Sequence, residues 1–201
     1  MSKIIAIGGG EIRENETFEI DAEIIKLSEK ENPKLLFIPT ASYDSSSYLK
    51  MMKIWRFLGV DTMLKNAKEN GTILCGISAG AIFWFKSGHS DSLSSYNEKK
   101  WKYITVKGLN FVNAILCPHY DTHTLGKSRK KHFEYLMKKL PKNTIGIGID
   151  ENCAIEFVNN KYRVLSSKKS AKAYKIFWEN SKIISKEIIK TTELQDITSL
   201  L

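Results

Sequence analysis

Residues 72–81 read TILCGISAGA. Thr72-Ile73-Leu74-Cys75 carries no charge, as a strand buried on both faces of a parallel sheet requires. It runs directly into Gly76-Ile77-Ser78-Ala79-Gly80, an unbroken G-x-S-x-G, and then into the apolar Ile82-Phe83-Trp84-Phe85. Between a strand and a helix, this pattern holds a serine on a sharp turn with its hydroxyl exposed. In any other context it is a tight turn of small residues. The uncharged run before it and the apolar run after it predict strand, turn and buried helix, and hence an α/β fold.

Upstream, Lys3–Ile7 (KIIAI) is a short apolar strand ending in Gly8-Gly9-Gly10. Phe18, Ala22, Ile25 and Leu27 recur at roughly helical spacing over 18–29, and Asn32-Pro33 stops that helix. Residues 35–38, LLFI, predict a second buried strand closed by Pro39. Strand, helix, strand opens a parallel sheet. Residues 41–48 are polar and serine-rich, 49–58 amphipathic and helical, and 61–69 helical again, with Asp61 as the expected cap.

Downstream, 87–103 reads as a polar loop containing Asp91. A buried strand, AILC at 114–117, ends in Pro118-His119, and a basic helix over 127–140 stops at Pro141. TIGIGID at 144–150 is a strand ending at Asp150-Glu151. The last quarter predicts two hairpins, turning at Asn159-Asn160 and near Asn180. The expected fold is therefore a mostly parallel sheet flanked by helices, with antiparallel C-terminal hairpins.

A chain of 201 residues with 42% hydrophobic content suits one globular domain. No apolar run approaches the roughly 18–20 residues that a membrane span needs. The N-terminal apolar run is too short for a signal sequence. The net charge of +9 comes from dispersed lysine pairs without a nucleic-acid-binding module, which argues against a nucleic-acid partner. Cys75, Cys117 and Cys153 are far apart and lie in or beside apolar segments. Buried, reduced thiols and a cytoplasmic location are expected.

Chemistry in open α/β sheets gathers at the carboxyl ends of the strands. Ser78, His119 and Asp150-Glu151 all stand at such ends. A serine hydroxyl needs a base within hydrogen-bond reach, and a histidine needs a carboxylate to fix its tautomer. Small residues at Gly76, Ala79 and Gly80 leave room for a substrate carbonyl. The Ala79 N–H would donate to the oxyanion. Structural roles compete: a small-residue turn, a buried histidine, a turn and cap at 150–151. His119-x-Asp121-x-His123 could instead hold a metal if that stretch is extended.

With IGGGEI, LFIPTAS, GISAGA, the Pro118-His119 pair and GIDENCA in one order, the chain resembles the peptidase E family of aspartyl dipeptidases and, more distantly, the cyanophycinases. The resemblance implies a fold like that of class I glutamine amidotransferases. It also implies a serine exopeptidase that hydrolyses short peptides, Asp-X dipeptides in particular, without a cofactor or metal. It implies Ser78 as nucleophile, His119 as base and Glu151 as orienting acid. Asp91 becomes a supporting or alternative acid, and Arg129, in Gly126-Lys127-Ser128-Arg129, the group that grips a substrate aspartate. The expected partner is a small peptide, with neither nucleic acid nor membrane; a homo-oligomer is compatible with the sequence. The family also places a helix, a strand and a GGGNT loop after its ASYD-like segment. Here Asp44 is followed at once by SSSYLKMMKIW, an apparent internal deletion near residues 44–49 within a single domain spanning 1–201. That loop would supply a second oxyanion donor. Its lack motivates the alternative of a catalytically impaired binding or structural protein.

Overall fold

The computed structural model describes residues 1–38, 55, 57–95 and 98–201. Along the chain, β1 (Lys3–Ile7) is followed by α1 (Phe18–Leu27), α2 (Val60–Glu69) and β2 (Ile73–Ile77). The short α3 (Ala79–Ile82) leads to β3 (Phe85–Ser90), β4 (Ile104–Lys107) and β5 (Val112–Pro118). A small ribbon, β6 (His123–Thr124) with β7 (Lys127–Ser128), precedes α4 (Arg129–Met137) and β8 (Gly146–Ile149). The chain finishes with β9 (Cys153–Val158), β10 (Lys161–Ser166), β11 (Ala173–Glu179), β12 (Lys182–Glu187) and β13 (Gln195–Asp196).

The fold is α/β, and apart from the β6–β7 ribbon its strands divide between two mixed sheets, ordered β13-β10-β9-β1-β2 and β12-β11-β8-β5-β3-β4. β1 runs parallel to β2 and antiparallel to β9. In the second sheet β5 is parallel to both β3 and β8. The C-terminal hairpins extend both sheets. β9–β10 turns at Asn159-Asn160 and β11–β12 at Asn180-Ser181, as expected from the sequence.

Side-chain alternation explains the uninterrupted KIIAI run. Ile4 and Ala6 face the main core with Leu74, Phe85, Leu116, Ile149, Ile155 and Phe157. Ile5 and Ile7 face the other way, onto Ile20 of α1 and Ala154. The contacting stripe of α1 is Ile20, Ile24 and Leu27; Phe18 and Ile25 are exposed, one residue out of phase with the sequence reading.

Other expectations are corrected. Residues 35–38 form no strand and are exposed, Leu35 and Leu36 by more than 80%. α2 begins after Gly59, which has φ +72, and Asp61 lies inside its first turn. The buried run 82–85 supplies only the end of the four-residue α3, and the chain then enters β3, so Phe85 is in a strand where a helix was expected, and 87–90 is strand where a loop was expected. The helix expected over 49–58 falls largely outside the described residues. Cys117 and Cys153 are buried, but Cys75, on β2, the terminal strand of its sheet among the described residues, is exposed.

Candidate active site

Ser78 follows β2 with φ 53 and ψ −117. This is a strained conformation for a residue with a side chain, costing about 1–3 kcal/mol. Close packing enforces the turn. A Cβ on Gly76 would lie 2.4 Å from the Gly80 carbonyl oxygen and 2.7 Å from Trp84 Nε1. A Cβ on Gly80 would meet nothing within 4 Å, so only Gly76 is demanded by packing. Ala79 is the first residue of α3.

His119 stands immediately after β5, also at positive φ (51°), and Glu151 follows β8. His119 Nε2 is 2.7 Å from Ser78 Oγ, and His119 Nδ1 is 3.1 Å from Glu151 Oε1. The three groups therefore form one hydrogen-bonded chain. They come from both sheets rather than from one sheet edge. The hydrogen bond with His119 holds the Glu151 carboxyl below the usual range, against the opposing effect of burial. The Glu151 N–H donates to Asp121 Oδ1 at 3.0 Å, a contact the sequence did not reveal.

Asp150, the neighbouring acid, points elsewhere. Its Oδ2 accepts the Lys172 N–H at 3.0 Å, while its Oδ1 is buried without a partner. Burial, and then the Asp121 charge, push its carboxyl up to about 6.

Asp91 comes directly after β3 and bonds Arg129 and the Thr124 hydroxyl, not the imidazole. Burial tends to raise its carboxyl, but the Arg129 charge and these hydrogen bonds leave it lowered. Arg129 is only 6% exposed, so it is not the solvated arginine that a basic helix start suggests. Asp91, Glu98, His119, Thr122, Arg129 and Glu151 are among the residues lining a cleft of about 470 Å³. Beside this pair, fully buried His89 has Nε2 2.9 Å from His132 Nδ1 and Nδ1 3.5 Å from Cys117 Sγ. Burial and the neighbouring His132 bring His89 down to about 3.

The metal reading of His119, Asp121 and His123 is not supported. The His119 ring nitrogens face Ser78 and Glu151, and Asp121 faces a backbone amide. Among the described residues, no group of three or more His, Cys, Asp and Glu side chains is placed to hold a metal ion. Nor, among them, is any helix long and apolar enough to cross a membrane. Burial pushes the Cys153 thiol up to about 12 and raises Cys117 as well, which disfavours thiolate chemistry there. The segment near Ser45, where the sequence departs from the expected pattern, lies outside the described residues.

Comparison with known proteins agrees with this arrangement of elements. The chain is 27% identical over 230 aligned residues to the uncharacterized peptidase YgaJ of Bacillus subtilis (strain 168), covering 91% of this chain and 95% of the relative. The alignment is longer than this chain, so the relative carries residues that this chain lacks. In fold, the chain resembles the crystal structure of a peptidase from an acI-B1 Actinobacterium, with a TM-score of 0.53 and 15% identity over 98% of this chain and 97% of that one. The pattern of peptidase family S51 matches residues 4–52 and 47–165. With most of its length inside those two stretches, this chain belongs to peptidase family S51.

Proposed function

We propose that this peptidase is a serine exopeptidase acting on short peptides through Ser78, His119 and Glu151. The observation that carries the reading is the continuous hydrogen-bonded chain from Ser78 Oγ through the imidazole to Glu151 Oε1. Ser78 Oγ attacks the scissile carbonyl as its proton passes to His119 Nε2. Glu151 holds the Nδ1 proton and stabilises the imidazolium. The Ala79 N–H donates to the oxyanion. Collapse breaks the C–N bond, with His119 Nε2 returning the proton to the leaving amine. Water, deprotonated by His119, then hydrolyses the acyl-enzyme and regenerates the Ser78 hydroxyl.

The proposed substrates are Asp-X dipeptides bound in the cleft beside His119. Arg129 supplies the positive charge for the substrate carboxylate. A guanidinium has five N–H donors, so it can engage a second carboxylate while keeping Asp91. Hydrolysis of a panel of Asp-X and Ala-X dipeptides tests both parts. Preference for Asp-X that disappears in Arg129→Gln, with no turnover by Ser78→Ala, supports the reading. An intact Ser78→Ala that cleaves Asp-X as fast as the unaltered protein overturns it.

One observation favours a second reading, a binding protein with impaired catalysis. β2 is the terminal strand of its sheet, so among the described residues no strand flanks the elbow on the side away from β1. Loss of one oxyanion donor typically costs about 100–1,000-fold in rate. Tight binding of a dipeptide without turnover, in protein carrying unaltered Ser78, would select this reading.

A further inference from the structure

The end of β1 joins the two sheets at the candidate active centre. Three successive carbonyls there each accept an amide N–H from a different turn. Ile7 O accepts from Ser78 at 2.9 Å, Gly8 O from His119 at 3.1 Å, and Gly9 O from Asn152 at 2.9 Å. Each donor residue has positive φ: 53° at Ser78, 51° at His119 and 60° at Asn152. Such conformations are unfavourable for residues with side chains and persist where surrounding contacts impose them. One backbone segment thus fixes the main chain on which Ser78 and His119 stand, and the residue next to Glu151.

Gly9 has a second role, and it is steric. Gly10 has φ +129, but Gly9 is not in the left-handed region, so backbone freedom does not explain a glycine there. A Cβ at position 9 would lie 2.3 Å from His119 Cε1, 2.4 Å from His119 Nδ1 and 3.2 Å from Glu151 Cγ. The bare backbone of Gly9 is the wall against which the His119–Glu151 pair rests. We infer that Gly9 is a positioning residue for His119, its missing side chain being what lets the imidazole reach both Ser78 and Glu151. The inference rests on the serine-peptidase reading above.

Gly9→Ala tests it. Ordinary contact begins near 3.4 Å, so the added methyl must displace the ring by roughly 1 Å. A shift of that size costs on the order of 100-fold in rate. The expected result is a roughly 100-fold fall in kcat and in fluorophosphonate labelling of Ser78, with KM little changed. The low-field proton resonance of the His119–Glu151 hydrogen bond should move or vanish. In a His119→Ala background the same change should cost nothing further, because the two act as a unit. Unimpaired labelling of Gly9→Ala overturns the inference, as does an equal loss in the His119→Ala background. Should Gly9→Ala not fold, hydrogen exchange on the unaltered protein decides. Amides of Ser78, His119 and Asn152 opening as one protected unit support the inference, and independent opening overturns it. Absence of Ser78 labelling in the unaltered protein would instead count against the triad itself.

Discussion

Glu151 and Asp150 are adjacent acids with opposite environments, and the difference assigns them separate roles. Glu151 is held ionised by its hydrogen bond with His119, whereas Asp150 is buried with one oxygen unpartnered. Glu151→Gln keeps the shape and removes the charge; kcat should fall by roughly 100- to 10,000-fold, the usual weight of acid–base assistance. Asp150→Asn should leave kcat within a few-fold, and steady-state kinetics on one dipeptide would compare the two. Asp91 belongs to a third category, because its partner is the buried Arg129. Truncating one partner of a fully buried pair costs about 3–5 kcal/mol. Since the Asp91 side chain is 30% exposed, Asp91→Ala should cost less, about 2–3 kcal/mol, read as a lower denaturant midpoint. Ser78, His119 and the Asp150-Glu151 pair were legible in the sequence because each follows an apolar strand; the choice of Glu151 over Asp150 came from the family resemblance. The Asp91–Arg129 pair was not, because nothing local links residues 38 positions apart. Gly9 was visible as part of a glycine run, but its contact with His119 is made only when the two sheets meet.

At the scale of elements, β1, β2, β5 and β8 were readable as short apolar runs, and both hairpins as asparagine turns. The run Ile82–Phe85 was ambiguous because a short buried apolar stretch has the same composition in helix and strand. It resolves into the end of α3 and the start of β3, and Trp84 closes on Gly76 across the elbow. The segment 35–38 has the composition of a buried strand, but composition does not supply a neighbour, and these residues pair with no described strand. The β11–β12 turn carries a correctable strain. Asn180 and Ser181 have φ 47 and 63, the pattern in which glycine is preferred at the second position. Ser181→Gly should therefore stabilise the fold by about 0.5–1 kcal/mol, measurable by urea unfolding. Gly76→Ala should do the reverse. Its Cβ would sit 2.4 Å from the Gly80 carbonyl oxygen, and overpacking of this kind costs about 1–3 kcal/mol.

Across the whole molecule, two sheets share a core and meet at one backbone segment, so the site depends on how the sheets are joined. Among the described residues, β2 is the terminal strand of its sheet, and the apolar stretch at 35–38 is exposed. Global stability carries a pH dependence from Asp150. Its folded value, about 6, is above the ordinary 3.8, so its contribution is fully present below 3.8 and is lost as pH rises through about 6. Asn at 150 cannot ionise and is free of that loss. Relative to the unaltered protein, Asp150→Asn should gain on the order of 2 kcal/mol between pH 4 and pH 8. Melting curves at the two pH values check this, and parallel behaviour would contradict it. The central claim is that Ser78 is an activated nucleophile, and intact-mass analysis after fluorophosphonate treatment tests it most directly. The account predicts one covalent adduct, mapped to Ser78, absent in folded Ser78→Ala and strongly slowed in folded Glu151→Gln. An unmodified folded protein, or an adduct that persists in Ser78→Ala, would contradict it.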